Sequence, residues 1–304
     1  MFEVYDAQVR LLLSCLPTVA EFENFALKGG TAINMFVREQ YPRLSVDIDL
    51  TFLPILGRDQ TLLAIEQDLQ NLGKKLQNKF NYTILESKNQ QTKTISKIVV
   101  DNGQSKITVE PNLILRGTVY PIVRQNLVSK VASLYQVQVL DIPVLDRAEL
   151  YAGKICAALD RQHPRDLFDI KFILKEGISE RTKKAFLIYL MSNNRPMFEL
   201  LAPNRLDQSR AYEDEFVGMS DLNVSYAEMV DIREQLISTI KNILTEDDKQ
   251  FLLSVKKGVP NWQHINIEHV ANLPSIRWKL INLAKMDKLK ASEYLAKLEA
   301  ALYD

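Results

Sequence analysis

Strand-like alternation fills the first half of this chain and stops after Pro143, and that change of period limits the possible architectures more than any other feature. Before it the patterns are mixed. Tyr5 to Leu16 carries apolar residues at helical spacing, Phe25-Ala26-Leu27 is a short apolar run, Ala32 to Glu39 is helical, and Val46 to Phe52 alternates as a half-buried strand. Asp59 to Leu76 reads as an amphipathic helix. Strands are predicted over Asn81 to Leu85, Thr94 to Val100, Lys106 to Glu110, Thr118 to Val123 and Tyr135 to Leu140, with Asp101-Asn102-Gly103 as a hairpin turn. After Pro143 only helical patterns remain: Arg147 to Leu159, Pro164 to Leu174, Arg181 to Met191, Ala227 to Leu244, Asp247 to Lys256, and Ser275 to Leu302 with a break near Asp287. The expected fold class is α+β. A mixed sheet flanked by helices occupies residues 1–145, and a helical domain occupies 146–304.

With 304 residues and 46% hydrophobic content the chain has enough apolar surface for a sizeable core, and global disorder is not expected. Basic and acidic residues number 38 each, so no whole-molecule field attracts nucleic acid and a polyanion site has to come from local clustering. Cys15 and Cys156 set neither a disulfide framework nor a zinc spacing; buried thiols in a reducing compartment are expected. Met1 to Leu16 has no basic segment ahead of its apolar run, so it does not read as a signal peptide. No uncharged apolar run reaches the roughly 18 residues a membrane span needs. The expected compartment is the cytoplasm.

In Val46-Asp47-Ile48-Asp49-Leu50-Thr51-Phe52, successive side chains point to opposite faces. Val46, Ile48, Leu50 and Phe52 are predicted to pack on the core, which leaves Asp47 and Asp49 together on the other face. Two such carboxylates repel unless a cation lies between them, and a pair of this kind suits one or two divalent ions at a phosphoryl-transfer site. Glu110, on the polar face of Lys106 to Glu110, is a candidate third ligand or general base. Gly29-Gly30-Thr31 precedes a helix, where glycines let backbone N–H groups approach a phosphate and the Thr31 hydroxyl adds a donor. Taken singly, the aspartates fit a solvated strand face and the glycines fit a turn before a helix cap. The order of glycine turn, helix, Asp-x-Asp strand and later acid-bearing strand is the one a polymerase-β-like nucleotidyltransferase requires.

Lys28-Gly29-Gly30-Thr31-Ala32, followed by Arg43-Leu44-Ser45-Val46-Asp47-Ile48-Asp49-Leu50, resembles the signature of AbiEii-type nucleotidyltransferase toxins. Glu149-Leu150-Tyr151-Ala152-Gly153-Lys154 and Arg161-Gln162-His163-Pro164-Arg165-Asp166-Leu167-Phe168-Asp169 are similar to that family's later motifs, in the same order. The resemblance covers residues 20–175. It implies an NTP-dependent transferase that is the toxin of an abortive-infection toxin–antitoxin system, with Mg²⁺ or Mn²⁺ as cofactor and a cognate antitoxin encoded nearby. The implied acceptor is RNA, the 3′ end of tRNA first among the choices. By position, Gly30 and Thr31 match the phosphate-binding turn, Asp47 and Asp49 the metal pair, and Lys154 and Asp166 the later motifs. Lys28, Gly29, Ser45 and Arg165 stand in those motifs and complete the expected nucleotide-binding set. Thr31 occupies a place where the wider superfamily often has Ser.

Lys154 has Leu150, Tyr151, Ala157 and Ala158 as helical neighbours, a setting in which a lysine either snorkels or neutralises a triphosphate. Pro164 suits the first position of a helix, with His163 before it as cap or surface residue and Asp166 in the first turn, facing the helix dipole or orienting Lys154 or the nucleotide. Arg165 and Asp169, four apart, are spaced for a surface pair. His264 and His269 lack a metal-binding motif. Lys256, Lys257, Arg277, Lys279, Lys285, Lys288 and Lys290 put positive charge on the C-terminal helices, either as a solvated face or as a grip on an RNA backbone. Trp262 and Trp278 suit core packing or base stacking. Two other readings keep the same residues: transfer to a protein side chain, and a non-catalytic nucleotide- or partner-binding module.

Overall fold

Helices and strands follow one another in the first half much as the periodicity requires. The structure is a computed structural model and describes residues 3–303. The chain divides into two compact units, Met1–Leu150 with Gly218–Leu222, and Tyr151–Val217 with Asn223–Asp304.

The first unit contains α1 (Glu3–Val19), β1 (Phe25–Leu27), α2 (Gly29–Ala32) running into a π-helical turn at Ile33–Val37, β2 (Ile48–Phe52), α3 (Arg58–Phe80), β3 (Thr83–Lys88), β4 (Ile95–Asp101), β5 (Lys106–Asn112), β6 (Val123–Gln125), α4 (Ser129–Tyr135) and β7 (Ile142–Val144). Its strands form one mixed sheet in the order β3-β4-β5-β2-β1-β7-β6. β2 runs parallel to β5 and antiparallel to β1, and β1 runs parallel to β7. Ile48, Leu50 and Phe52 are at most 1% exposed, and Phe52 meets Phe25 edge to face. The alternation in that segment therefore reflects a real inner face. β4 and β5 are joined by the turn at Gly103, where φ is +84° and the Asp101 carboxylate accepts from the Gly103 N–H.

Two predicted strands take other forms. Tyr135 to Leu140 is not a strand; α4 ends at Tyr135, with Gln136 left-handed at φ +52°, and the next strand starts at Ile142. Val131 and Tyr135, four apart, are both buried, which is helical spacing. Thr118 to Val123 contributes only its last residue to β6. Its buried Val119 and Tyr120 give their N–H groups to the Glu149 carboxylate at 2.9 and 3.2 Å, so a side chain takes the bonds a neighbouring strand would have taken. β5 in turn runs past Glu110, through Pro111, because its pairing with β4 ends at Val109 and the missing proline N–H interrupts nothing on that side.

Helix α5 (Arg147–Arg161) carries the chain from one unit to the other. The second unit adds α6 (Pro164–Glu176), α7 (Glu180–Ser192), α8 (Met197–Leu201), α9 (Ser209–Glu215), α10 (Tyr226–Ile243), α11 (Glu246–Lys256), α12 (Trp262–Ile265), α13 (Pro274–Ala284) and α14 (Lys288–Tyr303). Helix α7 is buried continuously from Ala185 to Ser192 and is packed by α8, α11 and α13. Capping boxes at Ser225 with Glu228 and at Thr245 with Asp248 start α10 and α11. The predicted break near Asp287 separates α13 from α14. Among the described residues no helix is long and apolar enough to cross a membrane.

Candidate functional site

The end of β1 is fixed on both sides. The Lys28 N–H donates to the Asp49 carbonyl at 2.9 Å, and the Leu145 N–H donates to the Leu27 carbonyl at 3.0 Å. The chain then turns at Gly29 with φ +71°, a conformation glycine adopts without steric cost. A Cβ there would overlap the Asp49 carboxylate. At Gly30 a Cβ would meet the Arg43 guanidinium at 2.6 Å and the Ser45 hydroxyl at 3.1 Å. Both glycines are therefore places of close approach: the first to the acid of β2, the second to the segment leading into it.

Side chains brace the same turn. The buried Thr31 hydroxyl lies 2.6 Å from the Asp47 carbonyl and 2.9 Å from the Ser45 hydroxyl, and its single proton donates to one of them. Asn34 donates to the Gly30 carbonyl at 2.9 Å, and Arg43 to the Leu44 carbonyl at 2.8 Å. Ser220, from the short stretch of later chain in this unit, donates to the Pro42 carbonyl at 2.7 Å, and Leu44 donates to the Met219 carbonyl at 2.8 Å. The segment 42–47 is thus held from two directions before it enters β2. Thr31 and Ser45 spend their hydroxyls inside this brace.

Asp47 stands just before β2 and Asp49 is its second residue; both are half-buried, while Val46, Ile48 and Leu50 between and beside them are buried. Glu110 is in register with Asp49 on the parallel neighbour β5, which places the two on one face of the sheet. The Glu110 carboxylate, however, is 56% exposed and reaches toward Lys97 at 4.0 Å. Among the described residues no three His, Cys, Asp or Glu side chains gather closely enough to hold a metal ion. The structure therefore brings Gly29, Gly30, Thr31, Ser45, Asp47 and Asp49 together. It places Glu110 beside them in register without converging its carboxylate on theirs. The two aspartates fit a divalent cation by their chemistry: hard oxygen donors on one face, one of them pressed against a glycine turn.

In the second unit the Lys154 ammonium, 7% exposed, lies 2.9 Å from Asp166 and 3.0 Å from Asp169, both essentially fully buried. Arg161 adds a second cation to Asp166 through its Nε. Two carboxylates and two cations make this cluster neutral, which is the condition for burying charge. Burial pushes the Asp166 carboxyl upward, but Lys154 and then Arg161 outweigh it and hold the group well below the usual carboxylate range. Lys154 and Asp166 are thus brought together. Arg165 and Asp169 are not a pair, because Asp169 points inward to Lys154 while Arg165 reaches Glu215 at 3.2 Å. His163 is the N-cap of α6, its Nδ1 accepting from the Arg165 N–H at 3.2 Å, which leaves Nε2 to donate to Glu215.

Sequence reasoning gave no site role to Asn34, none of their own to Arg43 and Arg161 within the motifs, and placed Asp169 in a surface pair with Arg165. For Asp169 a signal existed: it is three residues after Asp166, on the same side of α6. Arg43 and Asn34 act through backbone carbonyls, and no side-chain pattern marks such contacts. His264, assigned no metal role, lies 2.8 Å from the buried Asp248 carboxylate, which Lys183 also pairs at 2.9 Å. Trp278 is 56% exposed and so is not a core residue.

The family model described as nucleotidyl transferase AbiEii toxin, type IV toxin–antitoxin system, matches residues 10–282. No curated protein matches the sequence. Among solved structures, the chain is similar to MenT4, a nucleotidyltransferase toxin from Mycobacterium tuberculosis H37Rv. That likeness has a TM-score of 0.63 at 14% identity and covers 93% of this chain and 95% of the other. At that identity it speaks for the fold.

Proposed function

Since this chain belongs to the AbiEii family of nucleotidyl transferase toxins of type IV toxin–antitoxin systems, we propose that it transfers a nucleoside monophosphate from an NTP to an RNA hydroxyl, with the 3′ end of tRNA as acceptor and a divalent cation, Mg²⁺ or Mn²⁺, held by Asp47 and Asp49. The chain is a nucleotidyltransferase toxin, and its family implies an antitoxin partner. The finer reading is supported above all by the contact of the Gly29 turn with the Asp49 carboxylate. A turn without side chains, set against a metal-binding acid, leaves room for the triphosphate where the cation would bridge it.

When bound, the cation would neutralise phosphate charge and polarise the bond to the leaving pyrophosphate. The remaining work falls to the chain's own residues. Asp47 and Asp49 hold negative charge at one place. Gly29 and Gly30 keep side chains out of the phosphate's approach. Thr31, Ser45 and Arg43 fix the entry to β2 so that the two carboxylates stay together. Glu110, in register with Asp49 and solvent-exposed, is the proposed proton acceptor for the incoming hydroxyl. Asp166 is read as a positioning residue for Lys154, acting with Asp169 inside the second unit. The test is incubation with each labelled NTP in turn and total RNA, read on RNA and on protein. Label in RNA that disappears in Asp47→Asn supports the proposal. Label confined to protein moves the acceptor to a side chain, and no label in either refutes transfer.

A further inference from the structure

The second unit has a cavity of about 330 Å³ whose lining joins Lys256, Lys279, Lys290, Tyr294, Asn194 and Asn282 to an equal number of apolar side chains from around α8, α13 and α14, and no acidic side chain lines it. Its walls are the end of α11, the outward face of α13, the start of α14 and the segment entering α8. The Lys256 ammonium sits 4.8 Å from the centre of the Tyr294 ring and the Lys290 ammonium 5.5 Å from it. Lys279 donates to the Asn193 carbonyl at 2.6 Å and approaches the Arg195 carbonyl at 3.4 Å, which holds its cation in place and leaves a third N–H. Among the described residues no carboxylate comes within ion-pair distance of Lys256, Lys279 or Lys290. The acids on the neighbouring helices have closer partners: Glu293 binds Lys297 at 2.6 Å and feels Lys290 only at longer range, Glu199 faces Arg195, and Asp287 accepts from the first N–H groups of α14.

Such an arrangement is costly without a counter-ion. A solvated lysine face spreads its charges into water. Here Lys256 and Lys279 are half-buried while Lys290 is exposed, and Lys256 and Lys279 each feel another lysine as well. Burial, with Lys256 adding to it, lowers the Lys279 ammonium to about 8; burial and Lys290 lower Lys256. An anion in the cavity would relieve both the desolvation and the mutual repulsion. The volume falls within the range of small-ligand pockets. Lysines placed as point charges around an aromatic ring and amide side chains suit a phosphate carried by a nucleotide or a nucleic acid.

We propose that this cavity is a phosphate-binding site of the C-terminal helices, built by Lys256, Lys279 and Lys290 and independent of what the transferase acts on. The shared chemistry is a phosphate ester, supplied either by an RNA backbone or by a free nucleotide.

The experiment is lysine acetylation of the full chain, followed residue by residue by mass spectrometry. Its arms are inorganic phosphate, AMP, a single-stranded RNA oligonucleotide with a 5′-hydroxyl, and chloride matched in ionic strength. With ligand at about ten times its Kd, roughly a tenth of sites stay open, so acetylation of the three lysines should slow about tenfold relative to chloride. Protection by the oligonucleotide at far lower concentration than by AMP assigns the site to RNA; the reverse assigns it to a nucleotide. Equal acetylation in all arms overturns the proposal. In the double variant Lys256→Gln, Lys290→Gln the protection of Lys279 should be lost while the thermal midpoint is kept; protection that persists also overturns it. The readout is local, so its failure would leave the transferase reading standing, and the failure of that reading would leave this one.

Discussion

Gly29 rests against the carboxylate of Asp49, so that the turn after β1 and the acid of β2 occupy one place in the fold. Replacement of Gly29 by Ala meets two obstacles, the positive φ and the overlap with Asp49. Relief requires the aspartate or the turn to move. We expect Gly29→Ala to destabilise the chain by about 1–3 kcal/mol and to remove nucleotide transfer. Denaturant melts and the transfer assay check the two parts separately.

Thr31 supplies the hydroxyl that ties the turn to Asp47 and Ser45 from a fully buried position. Thr31→Val keeps the shape and leaves the Asp47 carbonyl and the Ser45 hydroxyl short of a partner. A loss of about 1–2 kcal/mol is expected, with a further fall in transfer as Asp47 is released. Thr31→Ser should retain both stability and activity. Paired melts of the two variants distinguish the hydroxyl from the methyl group.

Lys154 lies between two buried carboxylates, and its removal takes the ammonium from both, leaving Arg161 as the cation on Asp166. Lys154→Met should therefore cost about 3–5 kcal/mol, whereas Arg165→Ala, whose Glu215 partner is half-exposed, should cost under about 1 kcal/mol. Urea midpoints of the two variants give the comparison.

Asp166 makes the same cluster sensitive to acid. Its carboxyl is held below the usual range by Lys154 and Arg161 against the opposing effect of burial. A depressed folded-state value means that the native state releases the proton more readily than the unfolded chain. The contribution to stability is then complete above the unfolded carboxyl pKa and is lost as pH falls below it toward the folded value. Melts recorded downward from pH of about 5 should show a steeper fall for the wild type than for Asp166→Asn.

Much of this was legible in residue order, and the exceptions have physical causes. The alternation of Val46, Ile48, Leu50 and Phe52 identified the buried face of β2 because the strand is central and one of its faces is apolar. The long helices after Pro143 were readable because caps and apolar spacing agree there, down to the break near Asp287, whereas the short helices α8, α9 and α12, of one or two turns each, were too brief for a periodicity to show. The segments 118–123 and 135–140 misled because apolar, β-favouring residues were satisfied by the Glu149 carboxylate in one case and by helical packing in the other. At the candidate site, local spacing placed Asp47 next to Asp49. Spacing says nothing about which residues far along the chain brace them, so the bonds from Ser220 to Pro42 and from Leu44 to Met219 could only come from the fold. Glu110 shows a related limit: strand pattern and register agree on its face, yet its side chain turns to Lys97.

The most direct test of the account is transfer of label from an NTP by wild type and by Asp49→Asn, with thermal midpoints measured on the same samples. The substitution keeps size and shape and removes one negative charge from the site. We expect the variant to fold as the wild type does and to lose transfer by about a hundredfold or more at any concentration of divalent cation. A folded Asp49→Asn that transfers label at the wild-type rate would contradict the central claim.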